Sequence, residues 1–168
     1  MNYIHHYSSP LGKIILASDG TALTGLWFDG QKYFDASLIE NCFTKNLPVF
    51  EQTVQWLEFY FSGKIPDFTP PLSTNSTPFR QAVWNILLTI PYGRTMTYKE
   101  ISQKIAADRG IERMSSQAIG GAVGHNPISL IIPCHRVIGT DGSLTGYAGG
   151  LDRKRQLLAM EKQASQTA

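Results

Sequence analysis

Cysteine, histidine and arginine stand side by side at positions 134–136, after an apolar run that ends in a proline. A thiolate is the reactive form of cysteine, and a neighbouring base or cation lowers the pKa of the thiol below its free value of roughly 8.5. The pattern therefore predicts a nucleophile at Cys134, with His135 as its candidate base. A buried structural cysteine is the alternative, because free cysteines are among the most buried residues.

A downstream carboxylate, Glu161, can orient the imidazole of His135, as the acid of a catalytic triad does. Adjacent side chains of an extended chain point in opposite directions. We therefore expect Cys134 and His135 to communicate through a water molecule, unless the chain turns there. The other cysteine, Cys42, lies in an amphipathic stretch, and we interpret it as structural.

Composition excludes several classes of protein. With 42% hydrophobic and 17% charged residues, the 168-residue chain has a globular composition. No apolar run approaches the roughly 18 residues of a membrane-spanning helix, and the N-terminus does not resemble a signal peptide. Two cysteines and four histidines favour neither a disulfide framework nor a zinc site. We therefore expect no metal, no membrane and a reducing cytoplasm.

Charge divides the chain into two halves. Residues 1–75 carry four Lys/Arg and seven Asp/Glu, a net charge of −3, whereas residues 76–168 carry eleven and six, a net charge of +5. The basic half suggests a polyanionic partner, with nucleic acid as the first candidate and a solvated surface as the alternative. A Pro- and Ser/Thr/Asn-rich segment at 65–78 coincides with this change in charge. We place a domain boundary near residue 75.

The elements that must position these residues differ between the halves. Residues 2–8, 13–18 and 22–28 are typical of an antiparallel meander with tight turns. Residues 32–46 are weakly helical, and residues 51–62 place apolar side chains at helical spacing. The N-terminal half thus predicts a three-stranded sheet with a helix.

Four helices are predicted in the second half, at 79–89, 98–107, 117–124 and 151–162. Thr77 and the capping box formed by Thr97 and Glu100 begin the first two, and Ser115 or Ser116 begins the third. The second and third helices resemble a helix-turn-helix, although their connection is longer than the usual three or four residues. The third helix is rich in small residues, which allow a close approach to another helix or to DNA.

The run NPISLIIPCHRVIG at 126–139, followed by GYAGG at 146–150 and LLAMEK at 157–162, resembles the O6-alkylguanine-DNA alkyltransferase family. The resemblance covers about 80 residues, from Phe79 to Glu161, and is only general in the first half. It implies an α+β chain: a ribonuclease-H-like domain at 1–75 with the three-stranded antiparallel sheet, then a helical domain at 76–168. The second domain would bind DNA through a winged-helix-like helix-turn-helix and carry the alkyl acceptor.

The resemblance also implies the chemistry. The family moves an alkyl group from O6 of guanine irreversibly onto a cysteine, without a cofactor, and each molecule acts once. By this match Cys134 is the acceptor, His135 the water-mediated base and Glu161 its carboxylate partner. Asn126 would hold the active-site loop, and Tyr98 would contact the flipped base and protonate the departing guanine.

A base pocket follows from the same resemblance. The carbonyls of Cys134 and Val137 would accept from the exocyclic amine of guanine, and the Ala148 N–H would donate to its oxygen. Tyr147 would form a wall over the base, and Lys154 is a basic residue near the site. Alkyl groups larger than methyl, and O4-alkylthymine, are further candidate substrates.

The implied partner is double-stranded DNA carrying O6-alkylguanine, entered through the minor groove by a monomer. The residues predicted to contact DNA are Arg113, Ser116, Gln117, Ala118, Gly121 and Arg136, and Arg80, Arg94, Lys99 and Lys104 are further candidates for phosphate contacts. Gln117 stands where the family usually has an arginine that enters the base stack. An insertion of about five residues within 107–113 precedes it, which makes Arg113 a candidate substitute.

Two alternatives belong to other functional classes. Some relatives sense alkylated DNA without repairing it, but their cysteine is replaced, whereas Cys134 is present here. A cysteine hydrolase that uses Cys134, His135 and Glu161 as a triad would turn over ester substrates repeatedly.

Overall fold

A computed structural model describes residues 2–34, 37 and 39–167 of the chain. It divides into two compact units. One comprises the chain up to Thr74 together with Pro127–Ser129, and the other comprises Asn75–Asn126 and the chain from Leu130 onward. Among the described residues, no helix combines the length and the apolar character that crossing a bilayer demands.

The first unit is built on a sheet. Strands β1 (Tyr3–Ser9), β2 (Gly12–Ser18) and β3 (Leu23–Phe28) form the predicted antiparallel meander. A short strand, β4 (Phe43–Thr44), pairs in parallel with β1, so that the strand order is β3-β2-β1-β4. Among the described residues the sheet therefore has four strands, where the sequence predicts three.

Helix α1 (Pro48–Phe61) packs against the three long strands. It begins three residues earlier than predicted, because Pro48 occupies its first turn, where a missing N–H costs nothing. The aromatic residues at helical spacing supply much of the core, as expected. The fully buried side chains of this unit include Phe50, Leu57 and Tyr60 of α1 and Ile14, Leu16, Leu26 and Phe28 of the strands.

The prediction that residues 32–46 are weakly helical is wrong for those of them that the structure describes. Residues 43–44 form β4 instead, and the Phe43 N–H donates to the Asn2 carbonyl at 2.9 Å. The apolar side chains of this segment cover the sheet, with Phe34 and Ile39 packed against the cluster around Trp27. Residues 35, 36 and 38 lie outside the described residues.

A three-residue segment from the second half of the sequence completes the first unit. Pro127–Ser129 runs beside β3, where the Leu26 N–H donates to the Pro127 carbonyl at 2.9 Å and the Ser129 N–H donates to the Leu26 carbonyl at 3.0 Å. The sequence carries no local signal for this pairing, since it joins residues about one hundred positions apart.

The second unit contains the four predicted helices: α2 (Pro78–Leu87), α3 (Tyr98–Arg109), α4 (Ser116–Gly124) and α5 (Leu151–Thr167). Their starts follow from the sequence. The Thr77 hydroxyl accepts from the Arg80 N–H, Ser115 caps α4, and the capping box of Thr97 and Glu100 is formed. Helix α5 extends five residues beyond its predicted end.

Two features hold α3 in place within this unit. Helix α3 ends at Gly110, whose φ of 67° favours glycine, and the Ser102 hydroxyl donates to the Met114 carbonyl in the connection to α4. Strand β5 (Met96–Thr97) pairs in parallel with β6 (Val137–Ile138). This small sheet places the start of α3, and therefore Tyr98, beside the segment that contains Cys134.

Candidate active site

Cys134–Arg136 form a single turn of 3-10 helix. With three residues per turn, neighbouring side chains diverge by about 120°. The chain therefore turns at the point where an extended segment would have separated Cys134 from His135. Both side chains are buried: Cys134 is 4% exposed and His135 is fully enclosed.

The loop before Cys134 is held by an amide side chain. Asn126 is buried, and its Nδ2 donates to the Ile132 carbonyl at 2.7 Å. The Cys134 N–H donates to the same carbonyl at 2.8 Å. Within this loop Leu130 has a φ of 71°, a left-handed conformation that is costly for leucine. Asn126 thus fixes a strained loop directly ahead of the cysteine.

His135 and Glu161 form a buried pair, with 2.5 Å between Nε2 and Oε2. Burial alone would raise the pKa of Glu161, but the hydrogen bonds from His135 and Arg136 and the charge of Arg136 outweigh it and lower this pKa to about 2. Burial also lowers the pKa of His135, which keeps the imidazole neutral. Because an ionised carboxylate only accepts, Nε2 carries the proton and Nδ1 is the basic nitrogen.

The prediction that Arg136 contacts DNA is wrong, because its side chain lies in the interior and is only 7% exposed. Its Nε donates to Oε1 of Glu161 at 2.8 Å, and its Nη1 donates to the Ile90 carbonyl at 2.7 Å. Sequence alone gives no sign of this burial, since the partner carboxylate lies on α5. The Gly93 N–H, which sequence reasoning missed, also donates to Glu161.

The resting thiol differs from the sequence-based expectation. Burial raises the pKa of Cys134, and the Asn126 side chain and the charge of Lys154 oppose that effect without cancelling it. The protein therefore holds a protonated thiol beside a neutral base, rather than a preformed thiolate. Proton removal must accompany the reaction.

Lys154 is fully buried on the same face of α5 as Glu161, seven residues away. Its Nζ donates to the carbonyls of Val137 and Thr145, at 2.5 and 3.0 Å. Burial lowers the pKa of Lys154 to about 8, and the charge of a Cys134 thiolate opposes this shift. Lys154 therefore joins two backbone segments of the site and adds positive potential near the sulfur.

The Val137 and Cys134 carbonyls each have an internal partner, since the latter accepts from the Val137 N–H. A carbonyl has two lone pairs, so each retains capacity for a further donor. The Tyr98 hydroxyl lies 3.1 Å from the Thr145 carbonyl and 3.3 Å from that of Gly146. Burial raises the pKa of Tyr98, so its phenol stays protonated.

Tyr147 and Ala148 follow in the same loop. The buried Tyr147 ring lies edge-on to His135, with 6.5 Å between ring centroids, and Ala148 is half-buried. The structure thus gathers Asn126, Cys134, His135 and Glu161 with the candidate pocket residues in the second unit. Within the described part of the chain, no group of three or more His, Cys, Asp or Glu side chains is arranged to hold a metal ion.

The residues predicted to contact DNA, apart from Arg136, lie on the outside of the second unit. Ser116, Gln117 and Gly121 are exposed on α4, Ala118 is half-buried, and Arg113 is exposed in the preceding connection. A Cβ at Gly120 or Gly121 would meet nothing within 4 Å. Packing within the protein therefore does not explain glycine at positions 120 and 121.

Comparison with known proteins matches both units. Residues 2–74 match the ribonuclease-like domain of 6-O-methylguanine DNA methyltransferase, and residues 78–163 match the DNA-binding domain of the same enzyme. A methylated-DNA–protein-cysteine methyltransferase of Mycobacterium bovis is 44% identical over 94% of this chain and 92% of its own length. A Haemophilus influenzae protein of that name is 40% identical over 95% of this chain and 86% of its own length.

Solved structures agree with these matches. The structure of Mycobacterium tuberculosis OGT in complex with DNA superimposes with a TM-score of 0.85 at 41% identity, covering 96% of this chain and 94% of that one. An O6-methylguanine DNA methyltransferase from Methanococcus jannaschii gives a TM-score of 0.64 at 27% identity, with coverages of 94% and 93%. On this sequence and structural similarity, the chain belongs to the 6-O-methylguanine DNA methyltransferase family.

Proposed function

We propose that this protein is a DNA repair enzyme that transfers a methyl or other alkyl group from O6 of guanine in double-stranded DNA onto Cys134. The observation that carries the proposal is the buried free thiol of Cys134, next to a neutral His135 whose Nε2 is bound to the ionised carboxylate of Glu161. This arrangement stands in the unit that matches the DNA-binding domain of the family.

The transfer is a displacement at the alkyl carbon. The sulfur of Cys134 attacks in line, a carbon–sulfur bond forms, and the electron pair of the carbon–oxygen bond passes to guanine. The thiol proton moves, through a water molecule, to Nδ1 of His135, and Glu161 stabilises the imidazolium. The guanine takes up a proton from the Tyr98 hydroxyl, which is reprotonated from solvent, and the imidazolium of His135 returns the thiol proton to solvent.

The product explains why each molecule acts once. A thioether has no good leaving group, so no step regenerates the thiol. The charge of Lys154 near the sulfur favours the thiolate as it develops, and the raised pKa of Tyr98 keeps its hydroxyl a donor. The Ala148 N–H and the carbonyls of Cys134 and Val137 orient the base in this proposal.

DNA binding is assigned to the exposed face of α4 and the connection before it. A base in a duplex must be extruded before a buried thiol can reach it, at a cost of a few kcal/mol. The open face at Gly120 and Gly121 permits a close approach to a minor-groove wall. Gln117, or Arg113 in its place, would fill the vacated stack. A monomer in the reducing cytoplasm suits a reaction that consumes a free thiol.

Mass spectrometry after mixing with a duplex that carries one O6-methylguanine tests the acceptor. We expect the peptide that contains Cys134 to gain one methyl group. Cys134→Ser should gain none while still binding DNA, and Cys42→Ser, which changes the half-buried second cysteine, should gain one as the wild type does. Methyl uptake by Cys134→Ser would refute this assignment.

A further inference from the structure

Arg136 is a cation that the chain keeps in its interior. All three of its guanidinium nitrogens donate to partners inside the protein. Nε and Nη2 reach the two carboxylate oxygens of Glu161, at 2.8 and 3.3 Å, and Nη1 reaches the Ile90 carbonyl at 2.7 Å. A planar fork is suited to this geometry, whereas a lysine ammonium presents a single point of charge.

The same contacts join α5 to the turn that follows α2. The Gly93 N–H donates to Oε1 of Glu161 at 3.1 Å, and the Arg136 guanidinium lies 5.6 Å from the centre of the Tyr92 ring. A Cβ at Gly93 would approach Ser165 Oγ to 2.6 Å, so this turn fits closely against α5. Glu161 is thereby held from two sides, by His135 and by the Arg136–Gly93 group.

Charge adds a second effect to this geometry. A lone carboxylate beside an imidazole would draw a proton onto the ring, and a protonated imidazole cannot take the proton of a thiol. Arg136 offsets the carboxylate charge, and its own charge disfavours a second cation nearby. The charged groups that act on His135 are Glu161, Arg136 and Lys154, and the titratable groups around this cluster are Cys134, Tyr92 and Tyr147.

We propose that Arg136 is a positioning residue for alkyl transfer, which fixes the Glu161 carboxylate against His135 and offsets its charge so that the imidazole stays a neutral proton acceptor. This inference rests on the proposed function. It assigns to Arg136 a role inside the site, where it acts on the reacting sulfur only through Glu161 and His135, instead of a contact with DNA.

Two substitutions separate the two effects of Arg136, which are its hold on the Glu161 carboxylate and its positive charge. Arg136→Met removes the hold and the charge, and Arg136→Lys keeps the charge without the guanidinium fork. The imidazole signal of His135, assigned with His135→Gln, is titrated by NMR in the unreacted protein. Transfer from free O6-benzylguanine is then measured against pH, since a free base needs no duplex opening.

For Arg136→Met we expect the titration midpoint of His135 to rise by about one pH unit, a tenfold change in proton affinity. The midpoint on the acid side of the plot of transfer rate against pH should move to higher pH by the same amount. For Arg136→Lys the midpoint should stay near the wild-type value, while the rate falls about tenfold or more at every pH because the carboxylate is no longer held by a fork.

A merely structural role would lower thermal stability and the rate equally at all pH values, with the His135 midpoint unchanged in both variants, and would overturn the proposal. Arg155→Met is the matched control, because Arg155 pairs with Asp152 on the surface of α5. It should change neither readout. If Arg136→Met does not fold, Arg136→Lys decides: a wild-type rate at every pH would overturn the role of the fork.

The salt dependence of duplex affinity distinguishes a positioning role of Arg136 from a contact with a DNA phosphate. In Arg136→Met, which removes the charge, the dependence of duplex affinity on salt should keep the wild-type slope. A slope smaller by about 0.9, the value for one phosphate, would place Arg136 on DNA and overturn the proposal. The NMR midpoint needs no alkyl transfer, so failure of the proposed function would be seen separately, as a wild-type protein that takes up no alkyl group.

Discussion

In the proposed function, Cys134 is a nucleophile that the fold keeps unreactive until its substrate arrives. Its thiol is buried, its pKa is raised by that burial, and its base is neutral. Reactivity then depends on a proton transfer that is useful only when an alkyl carbon lies in line with the sulfur. Under the proposed single-use reaction, this arrangement would protect the thiol until it is consumed.

The pH dependence of thiol alkylation tests this view. Because burial raises the pKa of Cys134, inactivation by iodoacetamide should have a midpoint above the free value of roughly 8.5. Lys154→Met removes a cation that favours the thiolate, so its midpoint should lie higher still. A wild-type midpoint below 8.5, as the sequence suggests, would contradict a pKa that burial raises.

At the scale of elements, α4 carries two glycines, Gly120 and Gly121, that packing within the protein does not explain. Gly121→Ala should stabilise the protein by about 0.5–1 kcal/mol, since the new Cβ meets nothing and alanine is the better helix former. If this face contacts DNA, the same change should weaken duplex binding and leave transfer from free O6-benzylguanine unchanged. Unaltered duplex binding would remove α4 from the proposed interface.

The start of α4 allows a separate test of base extrusion. Gln117→Ala and Arg113→Ala are each compared on methylated duplex DNA and on free O6-benzylguanine. The residue that fills the vacated stack should lose rate on the duplex alone, because only a duplex must be opened. Equal losses on both substrates would place that residue in the base pocket, and no loss on either would return it to the solvated surface.

An element can be predicted from the sequence when the residues that determine it lie close together in the chain. The starts of α2, α3 and α4 are predictable because Thr77, Thr97 and Ser115 cap them within one turn of chain. The error at 32–46 has the opposite cause. Its apolar residues serve the sheet through contacts with β1 and with Trp27, which are remote in sequence.

The candidate site likewise has some features that the sequence predicts and others that depend on the folded chain. Cys134 and His135 are recognisable from their adjacent positions, Glu161 is a candidate as the carboxylate that orients the imidazole, and family resemblance adds Asn126. The orientation of Arg136 is not predictable, because the partner that draws it inward lies on α5, 25 residues away. The raised pKa of Cys134 is likewise a consequence of burial, which only the folded chain defines.

For the whole molecule, the buried carboxylate of Glu161, which pairs with Arg136, makes the free energy of unfolding depend on pH. The pKa of Glu161 is about 2 in the folded protein, against 4.5 for an unperturbed carboxyl. The unfolded chain therefore binds the proton first as pH falls. The stabilisation is complete above about 4.5 and is lost as the pH approaches 2.

Urea unfolding at several pH values measures this contribution. Glu161→Gln should be less stable than the wild type at pH 7 by about 3 kcal/mol. The difference should shrink between pH 4.5 and 2, as the wild-type carboxyl becomes protonated. The exposed Glu112→Gln serves as the matched control and should show no such convergence. A constant difference across this range would argue against a linked Glu161 proton.

The number of alkyl groups transferred per protein molecule tests the central claim most directly. The protein is incubated with an excess of duplex that carries radiolabelled O6-methylguanine, and label is counted on protein over time. We predict that uptake stops at one methyl group per molecule, and that it is absent in Cys134→Ser. Continued turnover beyond one equivalent, or binding of the lesion with no label transferred, would contradict the account.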